Sequence, residues 1–228
     1  RGHGDIALFE VGPQYADATP EGQSRVAAGV IAGLARPRHW TAKARPADAF
    51  DAKAAALAAL DAAGAPVDKL QITTDAPGWY HPGRSGVFRL GPNILAAFGE
   101  IHPRTLREME LRGGAAGFEV FLDAVPVPRS KDSGKARPLL RPSPFQPVVR
   151  DFAFVMAADV PAEKALRAAR SSDKDLVTDV EAFDVYTGEN VGAGEKSLAL
   201  VVTLQPVEAT LTDDRIEAVA KKIVAAVE

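Results

Sequence analysis

The chain has 228 residues, 46% hydrophobic and 25% charged, with 27 Lys and Arg against 30 Asp and Glu, four His, no Cys and a formal net charge of -3. These proportions exclude a disordered tail, a collagen-like fibre and a disulfide-stapled secreted scaffold, each of which needs a different bias. The lack of Cys also excludes thiol catalysis and Cys-type zinc sites, and the length accommodates one large or two modest domains.

Apolar stretches are broken by Gly, Pro or charge well short of the roughly 20 residues of a membrane span, so no span is expected. The opening Arg1-Gly2-His3-Gly4-Asp5 runs into an alternating segment rather than a signal peptide's apolar core, and no initiator Met precedes it. The expectation is a piece cut from a longer chain. Strands are predicted at 5–12 (DIALFEVG) and 26–34. Phe50, Ala54, Leu57 and Leu60 recur at helical spacing in an Ala-rich run closed by Gly64, which predicts a helix over 49–63. Strands at 70–74, 86–90, 95–101 and 117–124, with a short helix begun by Pro103, complete a mostly antiparallel sheet with few helices.

Residues 129–150 carry six basic and one acidic group and four prolines, a composition that resists both helix and central strand. Residues 126–147 read as an interdomain linker, either a solvated basic connector or a strap that lies along phosphates. Beyond it the pattern is strand 148–156, helix 161–170, strands 176–186 and 195–204, and helix 213–227. Asp159 and Thr212 stand where N-caps belong, and Ile216, Val219, Ala220, Ile223 and Val227 give the last helix one apolar stripe. The order βαββα is one strand short of a ferredoxin-like sandwich.

No HExxH, GxxxxGK[ST], GxSxG or post-strand GxGxxG motif is present, which disfavours the enzyme classes built on them. Glu100 and His102 are two apart and form the minimum of a metal pair, but His3, His39 and His81 supply no second pair at ligand spacing, so no metal site is assigned. The segment 80–86 (YHPGRSG) reads either as a structural turn before a strand or as a set of backbone N–H groups and an Arg presented to an anion. In the last 78 residues, alternation turns Leu198, Leu200, Val202 and Leu204 toward the helices, with Phe152, Phe154, Phe183 and Val185. Asp151, Ala153, Asp184, Tyr186 and Ser197 are left on an open face, which is either merely wet or a binding platform.

Several runs carry a specific resemblance. FEVG (9–12), HW (39–40), AFDAKA (49–54), YHPGRSG (80–86), FGEIHP (98–103) and FEVFLD (118–123) resemble the catalytic-like module of bacterial phenylalanyl-tRNA synthetase beta subunits. PSPFQPVVRDFAFV (142–155), FDVYTGENVGAGEKSLAL (183–200) and TLTDDRIEAVAKKIV (210–224) resemble the ferredoxin-fold anticodon-binding domain that ends them.

The resemblance implies an α+β chain in three parts. A class II synthetase-like antiparallel sheet module that has lost catalysis, truncated at its N-terminal side, occupies 1–125. The linker follows at 126–147, and a ferredoxin-like βαββα(β) sandwich lacking its final strand occupies 148–228.

It further implies a cytoplasmic assembly of two alpha and two beta subunits that charges tRNA(Phe) with phenylalanine, touching neither membrane nor DNA. ATP and Mg would belong to the alpha subunit, leaving no catalytic residue and no cofactor in this chain. The anticodon contacts of the family match Ala153, Asp184, Tyr186 and Ser197, with Arg150 and Lys196 as candidate phosphate contacts. Residues 151–228 carry only eight basic against 15 acidic groups, so bulk electrostatics cannot hold RNA there. The reading from another class is a ferredoxin-like interaction or ligand-sensing module with no RNA role. An active class II enzyme would need an ATP-cradling Arg set and acidic magnesium ligands, neither of which is identifiable.

Overall fold

The computed structural model describes residues 4–127 and 142–228, which fall into two compact units. Arg1 to His3 and most of the basic Pro-rich stretch lie outside the described residues. The first unit contains β1 (Ile6–Tyr15), β2 (Gln23–Ala32), a small β3 (Leu34–Arg36) and β4 (Arg45–Pro46) pair, and α1 (Ala49–Ala62). After these come β5 (Gln71–Thr73), β6 (Tyr80–Leu90), β7 (Asn93–Ile101), α2 (Pro103–Glu108) and β8 (Ala115–Phe121). Six of the strands form one antiparallel sheet in the order β1-β2-β8-β7-β6-β5.

Helix α1 lies across this sheet and shares a core with Phe88, Leu95, Ala96, Phe98, Ala116 and Val120. It starts at a reciprocal capping box between Asp48 and Asp51. The Arg45 guanidinium hydrogen-bonds Asp51 and holds that carboxyl below the usual range. It ends before Gly64, whose φ of 83° is a conformation that only glycine adopts freely. Its inward face is formed by Ala52, Ala56 and Leu60, all fully buried, whereas Phe50 is 75% exposed and Ala54 is exposed. Alanine is spread around the whole helix, so hydrophobicity marks no face, and small Ala52 and Ala56 let the axis sit close to the sheet.

The segment 80–86 is not a turn before a strand, because β6 already starts at Tyr80 and takes a register irregularity between Tyr80 and Ser85. Three of its donors are occupied. Arg84 Nε pairs with Glu100 at 3.0 Å, Ser85 Oγ donates to the His81 carbonyl at 2.7 Å, and Gly83 N–H donates to His81 Nδ1 at 3.1 Å. His102 has left the strand and caps α2, its Nδ1 accepting from Arg104 N–H at 3.0 Å, so Glu100 and His102 do not form a pair. Among the described residues no group of three His, Asp or Glu is placed to hold a metal.

Edge strand β1 contributes little to the core. Leu8 is 64% and Phe9 82% exposed, and Ile6, Val11 and Tyr15 are exposed as well. Leu8 and Phe9 point to opposite sides of the sheet by alternation, so the β1–β2 ribbon is apolar on both faces. On one face a cleft of about 570 Å³ opens between this ribbon and α1, lined by Ala7, Phe9, Val11, Ala59 and Phe118.

The second unit has β9 (Val148–Ala157), α3 (Ala162–Ser171), β10 (Val177–Tyr186), β11 (Glu195–Leu204) and α4 (Asp213–Val227). Its sheet order is β10-β11-β9, all antiparallel, and both helices pack on one face over Phe154, Val180, Leu198, Leu200, Val202 and Leu204. The outer edge of β9 is unpaired among the described residues. Thr212 caps α4 as expected, its hydroxyl accepting from Arg215 N–H at 3.4 Å. Asp159 does not cap α3. Pro161 holds that position without a side-chain cap, because a turn from Ala157 to Val160 delays the helix by two residues. Ser143 Oγ donates to the Pro206 carbonyl and Gln205 Nε2 to the Phe145 carbonyl, tying residues before β9 to the end of β11.

Asp173, just past α3, has a side chain only 6% exposed and pairs with Lys222 of α4 at 2.8 Å. Lys222 and the N–H groups of Asp175 and Leu176 hold its carboxyl below the ordinary value, outweighing the opposing effect of burial. Such a group contributes stability that is complete above its unfolded pKa of about 4 and lost as pH falls through its lower folded value. Asp173→Asn is expected to cost about 1–2 kcal/mol at pH 7, discounted because Lys222 is half exposed. Urea melts should show the gap between variant and parent closing as pH is lowered from 5 to 2. A gap independent of pH would contradict the ion pair's role.

Candidate nucleic-acid interface

The face of the β9–β11 sheet turned away from α3 and α4 is built by register. In antiparallel strands, directly opposed residues share a face. Tyr186 opposes Ser197, which opposes Val155; in the next row, Asp184 opposes Ala199, which opposes Ala153. Strand spacing of about 4.8 Å and a rise of about 3.4 Å per residue put all four sequence-predicted contacts within a patch of roughly 10 by 7 Å. That is the footprint of one or two nucleobases. Asp184 and Ala153 are exposed, Ser197 is partly buried, and Tyr186 is 44% exposed.

A β-bulge brings Asp184 and Tyr186 onto this face. Val180 opposes Val202 and Ala182 opposes Leu200, both on the core side, and strict alternation would then send residues 184 and 186 into the core. The register shifts between Ala182 and Asp184, so Phe183 is an extra residue and the parity reverses. Phe183 and Val185, expected in the core, are 58% and 55% exposed. Phe183 is displaced by the bulge, and Val185 faces Leu198 at the far end of an edge strand, beyond the stretch of β10 whose side chains are buried. The adjacent apolar pair Ala182-Phe183, which breaks the alternation, is the sequence signal for this bulge.

Arg150 and Lys196 do not join the patch. Arg150 opposes Val202 and Lys196 neighbours Leu198, placing both on the helix side. Lys196 Nζ is already engaged, donating to the carbonyls of Ala158 and Val160 at 2.9 and 2.5 Å. The open face therefore carries no Lys or Arg among its strand residues. Asp151, Asp179, Glu181 and Asp184 make it acidic. A phosphate backbone would be repelled here, whereas exposed base edges, with their amino and imino donors, meet carboxylate, hydroxyl and phenol groups.

Two family models match the chain. The family described as "Phenylalanyl tRNA synthetase beta chain CLM domain" matches residues 1–122, and "Ferredoxin-fold anticodon binding domain" matches residues 143–228. Among curated proteins, the phenylalanine–tRNA ligase beta subunit of Rhodospirillum rubrum is 56% identical over 227 residues, covering 100% of this chain and 28% of the relative. That of Paramagnetospirillum magneticum is 54% identical over 227 residues, with the same coverage of 100% and 28%. The beta subunit of Brucella suis is 51% identical over 232 residues, covering 100% of this chain and 29% of the relative. The chain thus spans less than a third of the length of these relatives. A solved pyrrolysyl-tRNA synthetase from Desulfitobacterium hafniense aligns with 53% of this chain and 40% of its own at 18% identity and a TM-score of 0.37, a likeness too slight to bear weight.

Proposed function

The chain belongs to the family of phenylalanine–tRNA ligase beta subunits, and from that premise we propose that it is a non-catalytic portion of such a subunit that docks on the alpha subunit and reads the anticodon of tRNA(Phe). The observation that carries the reading is the convergence of Ala153, Asp184, Tyr186 and Ser197 on one exposed sheet face that neither helix covers. Each residue has a physical task there. The Tyr186 ring offers a stacking surface, the Asp184 carboxylate accepts from base amino groups, Ser197 Oγ can donate and accept, and Ala153 lets a base approach the sheet closely.

The acidic surroundings divide the labour. Bases lie on this face while the phosphates point outward, and the positive charge that attracts RNA comes from the basic stretch 129–141 and from the rest of the assembly. ATP and magnesium are assigned to the alpha subunit, within a cytoplasmic assembly of two alpha and two beta subunits. The exposed apolar ribbon β1–β2 is the first unit's contact with the alpha subunit.

Photo-cross-linking tests the face directly. In the assembled enzyme, p-benzoylphenylalanine in place of Tyr186 should cross-link to anticodon nucleotides of tRNA(Phe), and the same group in place of Arg150, on the opposite side of the same sheet, should not. Cross-links from Arg150 with none from Tyr186 would place the RNA elsewhere.

A further inference from the structure

We propose that Gly188 is a specificity-positioning residue, whose missing side chain holds the Tyr186 ring in the orientation that stacks on an anticodon base. The inference rests on the reading of the open face given above.

Gly188 is half-buried two residues past the end of β10, where its carbonyl accepts from Val191 N–H at 3.1 Å. A Cβ built on it would lie 2.7 Å from Tyr186 Cε2 and would overlap Cζ and the phenol oxygen outright. The ring therefore lies back against the Gly188 backbone at the start of the β10–β11 connection. Gly188 is not among the glycines with positive φ, so its backbone conformation is open to any residue. The missing side chain provides room for the ring.

The packing of the ring on Gly188 sets its tilt. The obstructing atoms belong to the far end of a flexible, partly exposed side chain. A methyl group at 188 would therefore turn the ring away at little cost to the fold, unlike a substitution that meets backbone. The result is a residue whose substitution should change recognition and spare stability.

The test compares four forms of the assembled enzyme, whose beta subunit is wild type, Gly188→Ala, Tyr186→Ala or the double variant. Each is assayed for kcat/KM with tRNA(Phe) and with a tRNA(Phe) carrying a substituted anticodon. Gly188→Ala should reduce the preference for the native anticodon about fivefold to tenfold, part of the value of one base stack. In the Tyr186→Ala background it should do nothing further, because the group it positions is gone. Its melting midpoint should match wild type. Full discrimination by Gly188→Ala alongside an impaired Tyr186→Ala, an effect that adds fully to that of Tyr186→Ala, or a large loss of stability would each overturn the role of Gly188 while leaving the face intact. A Tyr186→Ala enzyme with unchanged discrimination would overturn the reading of the face, and the role of Gly188 with it.

Discussion

Leu8→Asp with Phe9→Asp is expected to weaken association of the beta subunit with the alpha subunit at least a hundredfold while leaving the chain folded. The two side chains are 64% and 82% exposed and point to opposite sides of an edge strand, so neither supports the core around Leu60, Leu95 and Phe98. Covering each by a partner is worth about 1.5–3 kcal/mol, and a carboxylate buried in its place adds a desolvation cost. Losing about 3 kcal/mol already corresponds to more than a hundredfold in affinity. The same exposure predicts that the isolated wild-type chain self-associates and that the Asp pair makes it monomeric. Sedimentation of the chain alone and with alpha subunit reads both effects. Unaltered assembly by the double variant would show that the β1–β2 ribbon is not the contact.

The second large effect is expected at the open face. Tyr186→Ala and Asp184→Ala should each lower kcat/KM for tRNA(Phe) about tenfold. A lost base stack costs about 1–3 kcal/mol, and about 1.4 kcal/mol is already a factor of ten. Both side chains lie on the side of the sheet away from Leu198, Leu200 and Val202, so truncation removes no core packing. Phenylalanine activation assayed without tRNA is the control and should hold. Arg150→Ala provides a second control from the opposite side and should leave tRNA use unchanged. Loss of activation in the open-face variants would point instead to a folding defect.

Individual elements differ in how far the sequence alone determines them. Strand β11 is legible to the residue, because Leu198, Leu200, Val202 and Leu204 alternate without interruption and all four are buried. Helix α4 is equally plain, since Thr212 marks its start and Ile216, Val219 and Ile223 form one buried stripe. Helix α1 is legible in extent but not in orientation. Its end follows from Gly64, yet a run in which alanine fills every side conceals that Ala52 and Ala56 face inward and Phe50 outward.

At the candidate site, the alternation that placed Asp184 and Tyr186 on the open face reached the correct side by treating Phe183 as core. The structure reaches that side through the bulge at Phe183. Local pattern cannot show a parity reversal that depends on pairing with β11. Nor can it show that Gly188 adjoins the Tyr186 ring, because that contact depends on the path of the turn.

That this sheet face distinguishes anticodons is read out by a ratio. The efficiency of aminoacylation is measured for tRNA(Phe) and for the same tRNA with substituted anticodon bases, using the assembled enzyme with wild-type or Tyr186→Ala beta subunit, at two salt concentrations. The wild-type ratio should favour the native anticodon and should fall about tenfold in the variant. The salt dependence should be the same in both enzymes, because the face carries no Lys or Arg to release counterions. An unchanged ratio in the variant, or a ratio that collapses only through a shallower salt dependence, would contradict the claim and place anticodon recognition elsewhere.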